Sequence, residues 1–134
     1  MSLFSKFFLF FNDAIVLTLD GVGEYTTGTL SSLKALDTYD SFPDLGRFEF
    51  PNSLGLFYSV ITSFLGFEVN DAEYKVMGLA AYGEPTLCEK FCEVIKYSET
   101  NLVELNTEYF DFTPAAPFPF TAKFTKLFGK PAPV

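Results

Sequence analysis

Residues 50–85, FPNSLGLFYSVITSFLGFEVNDAEYKVMGLAAYGEP, contain the patterns that decide how this chain folds. In the first half of this stretch, apolar residues recur at three- and four-residue steps, the period of a helix face packed on a core: Leu54, Phe57, Ile61, Phe64 and Leu65. Pro51, Asn52 and Ser53 are typical residues of a helix start, and Gly66 lies where a left-handed residue commonly ends a helix. The pattern therefore predicts a helix over residues 54–65.

The second half of the stretch predicts a shorter helix of unusual composition. Asn70 suits the N-cap position and Glu73 follows three residues later, which is the spacing of a capping box. Gly83 and Pro85 are expected to end the helix. Gly78 lies inside it, where a glycine costs about 1 kcal/mol relative to alanine. We therefore expect another backbone or a ligand to approach the helix closely at Gly78.

Upstream, the segment AIVLTLDGVGEYTTGTL at residues 14–30 predicts two strands joined by a glycine-rich turn. The apolar run at residues 14–19 is typical of a strand buried on both faces. Because a Thr-rich strand and not a helix follows Gly21 and Gly23, a dinucleotide-binding fold is excluded. Asp20 is then expected to be a buried carboxylate without a partner, which is costly unless a cation or donors satisfy it. By itself the DGVG motif more often marks an ordinary hairpin turn.

The rest of the chain predicts a mixture of strands and helices. Residues 31–47 contain several turn signals and predict a second hairpin that returns through RFEF. Thr86 and Glu89 have capping-box spacing and predict a helix to about Tyr97, and residues 101–112 predict one or two strands. Residues 113–134 are proline-rich and predict an irregular tail with one short helix at FTKLFG.

Composition limits the classes of function. The chain has 134 residues, is 49% hydrophobic and carries a net charge of -8, which argues against a nucleic-acid partner because phosphate contacts need a basic face. The apolar run MSLFSKFFLFF is interrupted by Lys6 and is far shorter than the about 20 residues that span a bilayer. We therefore expect a cytoplasmic protein without a membrane segment. Since the chain has no histidine, Cys88 and Cys92 are expected to be reduced, buried or semi-buried thiols and not zinc ligands.

Two long motifs, FPNSLGLFYSVITSFLGF and EYKVMGLAAYGEP, closely resemble the NodU/CmcH-type O-carbamoyltransferases. The likeness continues upstream through LTLDGVGEYTTG and, more weakly, downstream to FTAKFTKLFG. The family usually has His, Pro and Trp where this chain has Asn52, Ala81 and Tyr25. The resemblance implies an α/β (α+β) fold that forms part of a kinase/Hsp70/actin-like (ASKHA) domain with β-hairpins and packed helices. Because the family's members are much longer, we expect residues 1–134 to be an internal fragment of one nucleotide- and carbamoyl-adenylate-binding domain.

The same resemblance implies a two-stage reaction. A second domain makes carbamoyl-adenylate from carbamoyl phosphate and ATP, and the present type of domain passes the carbamoyl group to a hydroxyl of a sugar-like or antibiotic acceptor. A divalent, iron-type metal aids the transfer by stabilising charge. By this resemblance Asp20 is a metal ligand, and the nucleotide pocket is lined by Asp20, Gly21, Gly23, Glu24, Glu73, Lys75 and Gly78. The family's pair of metal-binding histidines is missing from this chain, so the metal site is expected to be incomplete.

Alternative interpretations remain open at this point. From the residues alone, Glu73 more commonly caps its helix and Lys75 is equally well a solvated lysine. The chain is either a catalytic part of such an enzyme or an inactive, stand-alone piece that binds a partner chain, such as the remainder of the enzyme. The DGVG turn alone would also allow another phosphotransferase of the same superfamily. An upstream reading frame that encodes the histidine pair would favour the interpretation that the chain is a catalytic part of such an enzyme.

Overall fold

The computed structural model describes residues 13–23, 25–34, 44–98 and 102–133. The apolar run at residues 1–11 lies outside these ranges. In chain order the elements are β1 (Asp13–Leu19), β2 (Thr26–Lys34), β3 (Asp44–Glu49), α1 (Leu54–Phe64), α2 (Glu73–Ala80), α3 (Cys88–Val94), β4 (Ile95–Ser98), β5 (Leu102–Leu105), a 3₁₀ turn (Thr107–Tyr109) and α4 (Ala122–Phe128). The strands form an antiparallel sheet in the order β1-β2-β3 and a β4-β5 hairpin. The mixed α/β class and both predicted upstream hairpins are therefore confirmed.

The three-stranded sheet leaves the apolar side chains on one face of β1 exposed. The side chains of Ile15, Leu17 and Leu19 are 70%, 55% and 50% exposed, and they share this face because successive side chains of a strand point to opposite faces. Leu19 and Phe48 both pair with Gly28, so the buried Phe48 ring lies on the same face, where a Cβ atom at Gly28 would lie 2.6 Å from it. The prediction that β1 is buried on both faces is therefore wrong for the described part of the chain.

Helix α1 forms as its sequence pattern predicts. Ser53 is the N-cap, with an extended backbone and a hydroxyl that accepts a hydrogen bond from the Leu56 N–H at 3.0 Å. Leu65 ends the helix and Gly66 follows with a φ of 78°, the left-handed conformation expected there. Val60 and Thr62 are fully buried, whereas Leu65 is 40% exposed. The prediction that Leu65 lies on the core face is therefore wrong.

The core lies where α1 packs against α3, β5, the 3₁₀ turn and α4. Its buried members are Val60, Val94, Leu105, Tyr109, Phe110, Phe120 and Phe124. The phenylalanine rings meet mostly at steep angles, as aromatic pairs prefer. Phe64, for example, lies edge-on to Phe124 with ring centroids 5.3 Å apart. The proline-rich segment after residue 113 thus includes α4, whose Phe124 is completely buried at the centre of this core.

The start of α2 differs from the prediction. Ala72 is the N-cap without a side-chain hydrogen bond, and Asn70 has a positive φ of 68°. Glu73 nevertheless folds back, since its Oε1 accepts a hydrogen bond from the Asn70 N–H at 2.8 Å. Half of the predicted capping box is therefore present, but the loop makes one further turn before the helix begins.

Helix α3 is shorter than predicted, and its capping box does not form. The N-cap is Leu87, no side-chain cap is made, and the helix ends at Val94. The reason is that Ile95 begins β4 and pairs with Leu105 of β5, a contact between distant residues that overrides the helical pattern. Both Cys88 and Cys92 are free and exposed, so their expected burial is wrong. Among the described residues, no helix has the length and apolar character needed to cross a membrane.

Candidate functional site

A cleft of about 770 Å³ opens beside the turn between β1 and β2. One wall is formed by this turn and by the N-terminal half of α1, and the opposite wall is formed by residues 111–119. The lining residues are Asp20, Gly21, Val22, Phe50, Leu56, Ser59, Val69, Asn70, Asp111, Phe112, Thr113, Pro114, Ala116, Pro117, Phe118 and Pro119. The cleft therefore combines two carboxylates with apolar and aromatic walls, a composition typical of small-molecule sites.

Asp20 lies at the mouth of this cleft and is exposed. Its Oδ1 accepts a hydrogen bond from the N–H of Gly21 at 2.6 Å, and its own N–H donates to the Thr27 carbonyl at 2.9 Å. The expectation of a buried, unpaired carboxylate is therefore wrong. The physical reason is that β1 ends at the turn of its hairpin, where the Asp20 side chain reaches solvent and a neighbouring N–H.

Gly23 completes the turn. Its φ is 55°, and a Cβ atom at this position would lie 2.5 Å from the Thr26 carbonyl oxygen. Both the positive φ and the lack of space favour glycine. Gly23 thus shapes a tight turn that leaves the Asp20 carboxylate accessible from the cleft.

The start of α1 is packed directly against this turn. The Ser53 hydroxyl donates to the Gly21 carbonyl at 2.5 Å and lies 3.2 Å from the Asp20 carbonyl. A Cβ atom built on Gly55 would lie 2.8 Å from the Asp20 carbonyl oxygen. The sequence pattern identified Ser53 only as a helix start and did not single out Gly55. A glycine in the first turn of a helix was the signal that could have revealed this contact.

The opposite wall contains a second carboxylate that the sequence analysis missed. Asp111 Oδ1 accepts hydrogen bonds from the Thr113 hydroxyl at 2.7 Å and from the Thr113 N–H at 3.0 Å. The first of these bonds and then the second lower the pKa of Asp111, so its carboxyl is charged at neutral pH. Residues 111–119 had been predicted as the end of a strand and the start of an irregular tail, and nothing in their local pattern places them beside residue 20.

The three predicted site residues on α2 do not line the cleft. Glu73 lies behind its wall, because its Oε1 accepts from the N–H of Asn70 and lies 3.5 Å from the Ser59 hydroxyl. Lys75 and Gly78 are exposed and do not line the cleft. No described atom comes within 4 Å of a Cβ built on Gly78, so the close neighbour expected there is not provided by the described part of this chain. Glu24 lies outside the described residues.

The resemblance implies that this part of the protein binds a nucleotide phosphate and a divalent metal ion. Its described lining has two carboxylates, Asp20 and Asp111, and no lysine or arginine. The phosphate of a nucleotide would therefore meet negative charge without a balancing cation. Within the described ranges, no group of three or more His, Cys, Asp or Glu side chains could hold a metal ion. These residues alone thus fit neither a phosphate group nor a complete metal site.

Comparison with known proteins identifies a matching family and several longer relatives. The model of the family described as Carbamoyltransferase N-terminus matches residues 2–133. An uncharacterized protein of Synechocystis is 38% identical over 122 residues, which cover 90% of this chain and 19% of that protein. Nodulation protein NolNO of Sinorhizobium fredii is 38% identical over 89 residues, or 63% of this chain and 12% of that protein. Nodulation protein NolO of Bradyrhizobium diazoefficiens is 43% identical over 75 residues, or 56% of this chain and 13% of that protein.

The aligned regions show how these proteins differ in length. The chain spans less than one fifth of each of these three relatives, because the aligned regions cover 19%, 12% and 13% of them. Most of each relative therefore has no counterpart in this chain.

Proposed function

This chain belongs to the carbamoyltransferase family whose N-terminus it matches over residues 2–133, and we propose that it is part of an O-carbamoyltransferase. The observation that carries this proposal is the extent of the match, which includes every described residue. The cleft supports it, because the glycine-rich turn of the LTLDGVGEYTTG motif and the start of the next motif, at Ser53 and Gly55, meet at one wall.

The proposed donor is carbamoyl-adenylate, made from carbamoyl phosphate and ATP in another part of the longer protein. The acceptor is a hydroxyl group of a sugar-like or antibiotic molecule. The acceptor oxygen forms a bond to the carbamoyl carbon, the bond from that carbon to the phosphate oxygen breaks, AMP leaves, and the hydroxyl proton passes to a base. Asp20 and Asp111 lie on opposite walls of the cleft and are placed to accept hydrogen bonds from acceptor hydroxyls.

The remainder of the longer protein completes the site in this proposal. A cation from that remainder balances the phosphate charge of the donor, since the described lining has none. Asp20 is one ligand of a divalent metal whose other ligands lie outside the described residues. The domain as a whole is of the kinase/Hsp70/actin type, and Gly21 at the cleft wall contacts the nucleotide part of the donor. Gly23, Glu24, Glu73, Lys75 and Gly78 contact it where the remainder of the longer protein extends the site.

Asp20→Asn tests the proposal in a full-length family enzyme that carries this segment. The substitution keeps the size of the side chain but removes its charge. Transfer of labelled carbamoyl groups to a hydroxylated acceptor should fall by at least about 10- to 100-fold, the loss already typical when an outer-shell partner of a metal ligand is removed. Formation of carbamoyl-adenylate from carbamoyl phosphate and ATP should be unchanged, because that chemistry occurs elsewhere.

Asp71→Asn is the matched control, since Asp71 is exposed and does not line the cleft. Both half-reactions should be unaffected by it. Unchanged transfer in Asp20→Asn, or an equal loss in Asp71→Asn, would contradict the proposed role of the turn. Absence of carbamoylated product in the unmodified enzyme, with a panel of sugar and aminoglycoside acceptors, would contradict the proposed reaction itself.

A further inference from the structure

We propose that Ser53 is a positioning residue that fixes the Asp20–Gly21 turn against the N-terminus of α1 and so sets the shape of the cleft wall. The inference rests on the proposed function, because it makes this turn part of the binding site. Ser53 does not line the cleft. It acts through the turn and is not a catalytic residue.

The Ser53 hydroxyl serves two structural elements at the same time. It accepts a hydrogen bond from the Leu56 N–H at 3.0 Å, which caps α1, and it donates to the Gly21 carbonyl at 2.5 Å. A serine hydroxyl has one donor and two acceptor positions, so both bonds form together. Ser53 is 1% exposed, and water therefore cannot replace either bond. An ordinary N-cap would need only the first of them.

The contact reaches the Asp20 carboxylate in one further step. The Ser53 Oγ also lies 3.2 Å from the Asp20 carbonyl, which belongs to the same peptide unit as the Gly21 N–H. That N–H donates to Asp20 Oδ1 at 2.6 Å. Because the Ser53 proton is donated to the Gly21 carbonyl, the bond restrains the backbone of Gly21 and with it the Gly21 N–H that binds the carboxylate.

Gly55 keeps the helix and the turn close enough for this contact. A Cβ atom at Gly55 would lie 2.8 Å from both the Asp20 carbonyl oxygen and the Gly21 Cα, and 2.9 Å from the Gly21 nitrogen. These are backbone atoms, so a side chain at this position would displace the turn. Two independent features of α1, one hydroxyl and one missing side chain, thus position the same two residues.

The test uses the 134-residue chain, labelled with ¹⁵N, and the variants Ser53→Gly and Ser53→Thr. Glycine removes the hydroxyl but weakens an N-cap by only a few tenths of a kcal/mol, whereas threonine keeps a donor and an acceptor. In the unmodified chain and in Ser53→Thr, the order parameters of the Gly21 and Val22 amides should be near 0.85, the value of a rigid backbone. In Ser53→Gly they should fall below about 0.6, while the amides of Val60 and Phe124 keep their values and show that the core is folded.

Gly55→Ala provides a second route that leaves the hydroxyl in place. It should shift the Gly21 and Val22 resonances strongly and leave those of Phe124 unchanged. Rigid Gly21 and Val22 amides in Ser53→Gly, or mobile ones in the unmodified chain, would overturn the inference. These readouts do not depend on catalysis. If Asp20→Asn leaves carbamoyl transfer unchanged, the proposed function is contradicted. The positioning role of Ser53 is tested separately by the order parameters of the Gly21 and Val22 amides.

Discussion

The aromatic core and the β1–β2 turn are held in place by different forces. In the core, Phe124 has no exposed surface and contacts the rings of Phe64, Phe120 and Phe128. At the turn, Asp20 is exposed, and position is fixed by hydrogen bonds and by the close approach of Gly55. Apolar burial therefore provides the stability of this chain, whereas a few polar contacts determine the geometry of its candidate site. Substitutions in the two regions should therefore have distinguishable effects.

The largest expected effect is that of Phe124→Ala in the core. Removing a fully buried phenylalanine ring and leaving a cavity typically costs about 3–5 kcal/mol of unfolding free energy. Phe118→Ala is the matched control, because Phe118 is 44% exposed and its loss should cost about 1 kcal/mol. Urea denaturation followed by far-UV circular dichroism measures both. Equal losses for the two variants would show that the core does not dominate stability.

A smaller effect is expected at Asn52, which links the two regions. Its Oδ1 accepts a hydrogen bond from the Leu105 N–H of β5 at 2.9 Å, while its carbonyl accepts from the Thr27 hydroxyl of β2 at 2.6 Å. Asn52→Leu keeps the approximate size but leaves the Leu105 N–H without its acceptor, which should cost about 1–3 kcal/mol.

Asn52→His tests whether the hydrogen-bond acceptor at residue 52 accounts for this loss of stability. A histidine ring nitrogen can accept the same hydrogen bond. We expect its unfolding free energy to lie closer to that of the unmodified chain than to that of Asn52→Leu. A histidine variant as unstable as the leucine variant would mean that the side-chain acceptor is not what matters at residue 52.

The smallest expected effect is a pH dependence at the surface of the helical region. Glu108 accepts a hydrogen bond from the Lys123 ammonium, and this bond, followed by charge attraction, lowers the pKa of Glu108 below its usual 4.5. Because the folded-state pKa is the lower one, the pair stabilises the folded state above about pH 4.5. This contribution is lost as the pH falls through the folded-state pKa. Both groups are exposed, so added salt should weaken it.

Thermal unfolding of the unmodified chain and of Glu108→Gln measures this contribution. The unmodified chain should have the higher Tm at pH 7, and the difference should vanish well below pH 4.5 or at high salt. Glu68→Gln, which changes another exposed carboxylate, is the control for the loss of one negative charge. A difference that persists in acid would indicate that Glu108 stabilises the chain through packing and not through its charge.

The sequence by itself determined the elements whose signals are local. The period of α1, its cap at Ser53, the left-handed Gly66 and the DGVG turn each depend on residues within a few positions of one another, and all are present. The motifs around these elements also indicated the family.

Tertiary structure alone decided the features that depend on distant residues. Pairing of Ile95 with Leu105 shortened α3, and the exposure of Leu17 depends on which segments pack on the sheet, which the apolar run of β1 does not encode. The approach of residues 111–119 to the β1–β2 turn made the cleft and brought Asp111 into it, and contact between α1 and the same turn placed Ser53 and Gly55 directly behind the turn. Local patterns set backbone preferences over a few residues, whereas the burial of side chains and the pairing of strands are determined by contacts between different segments of the chain.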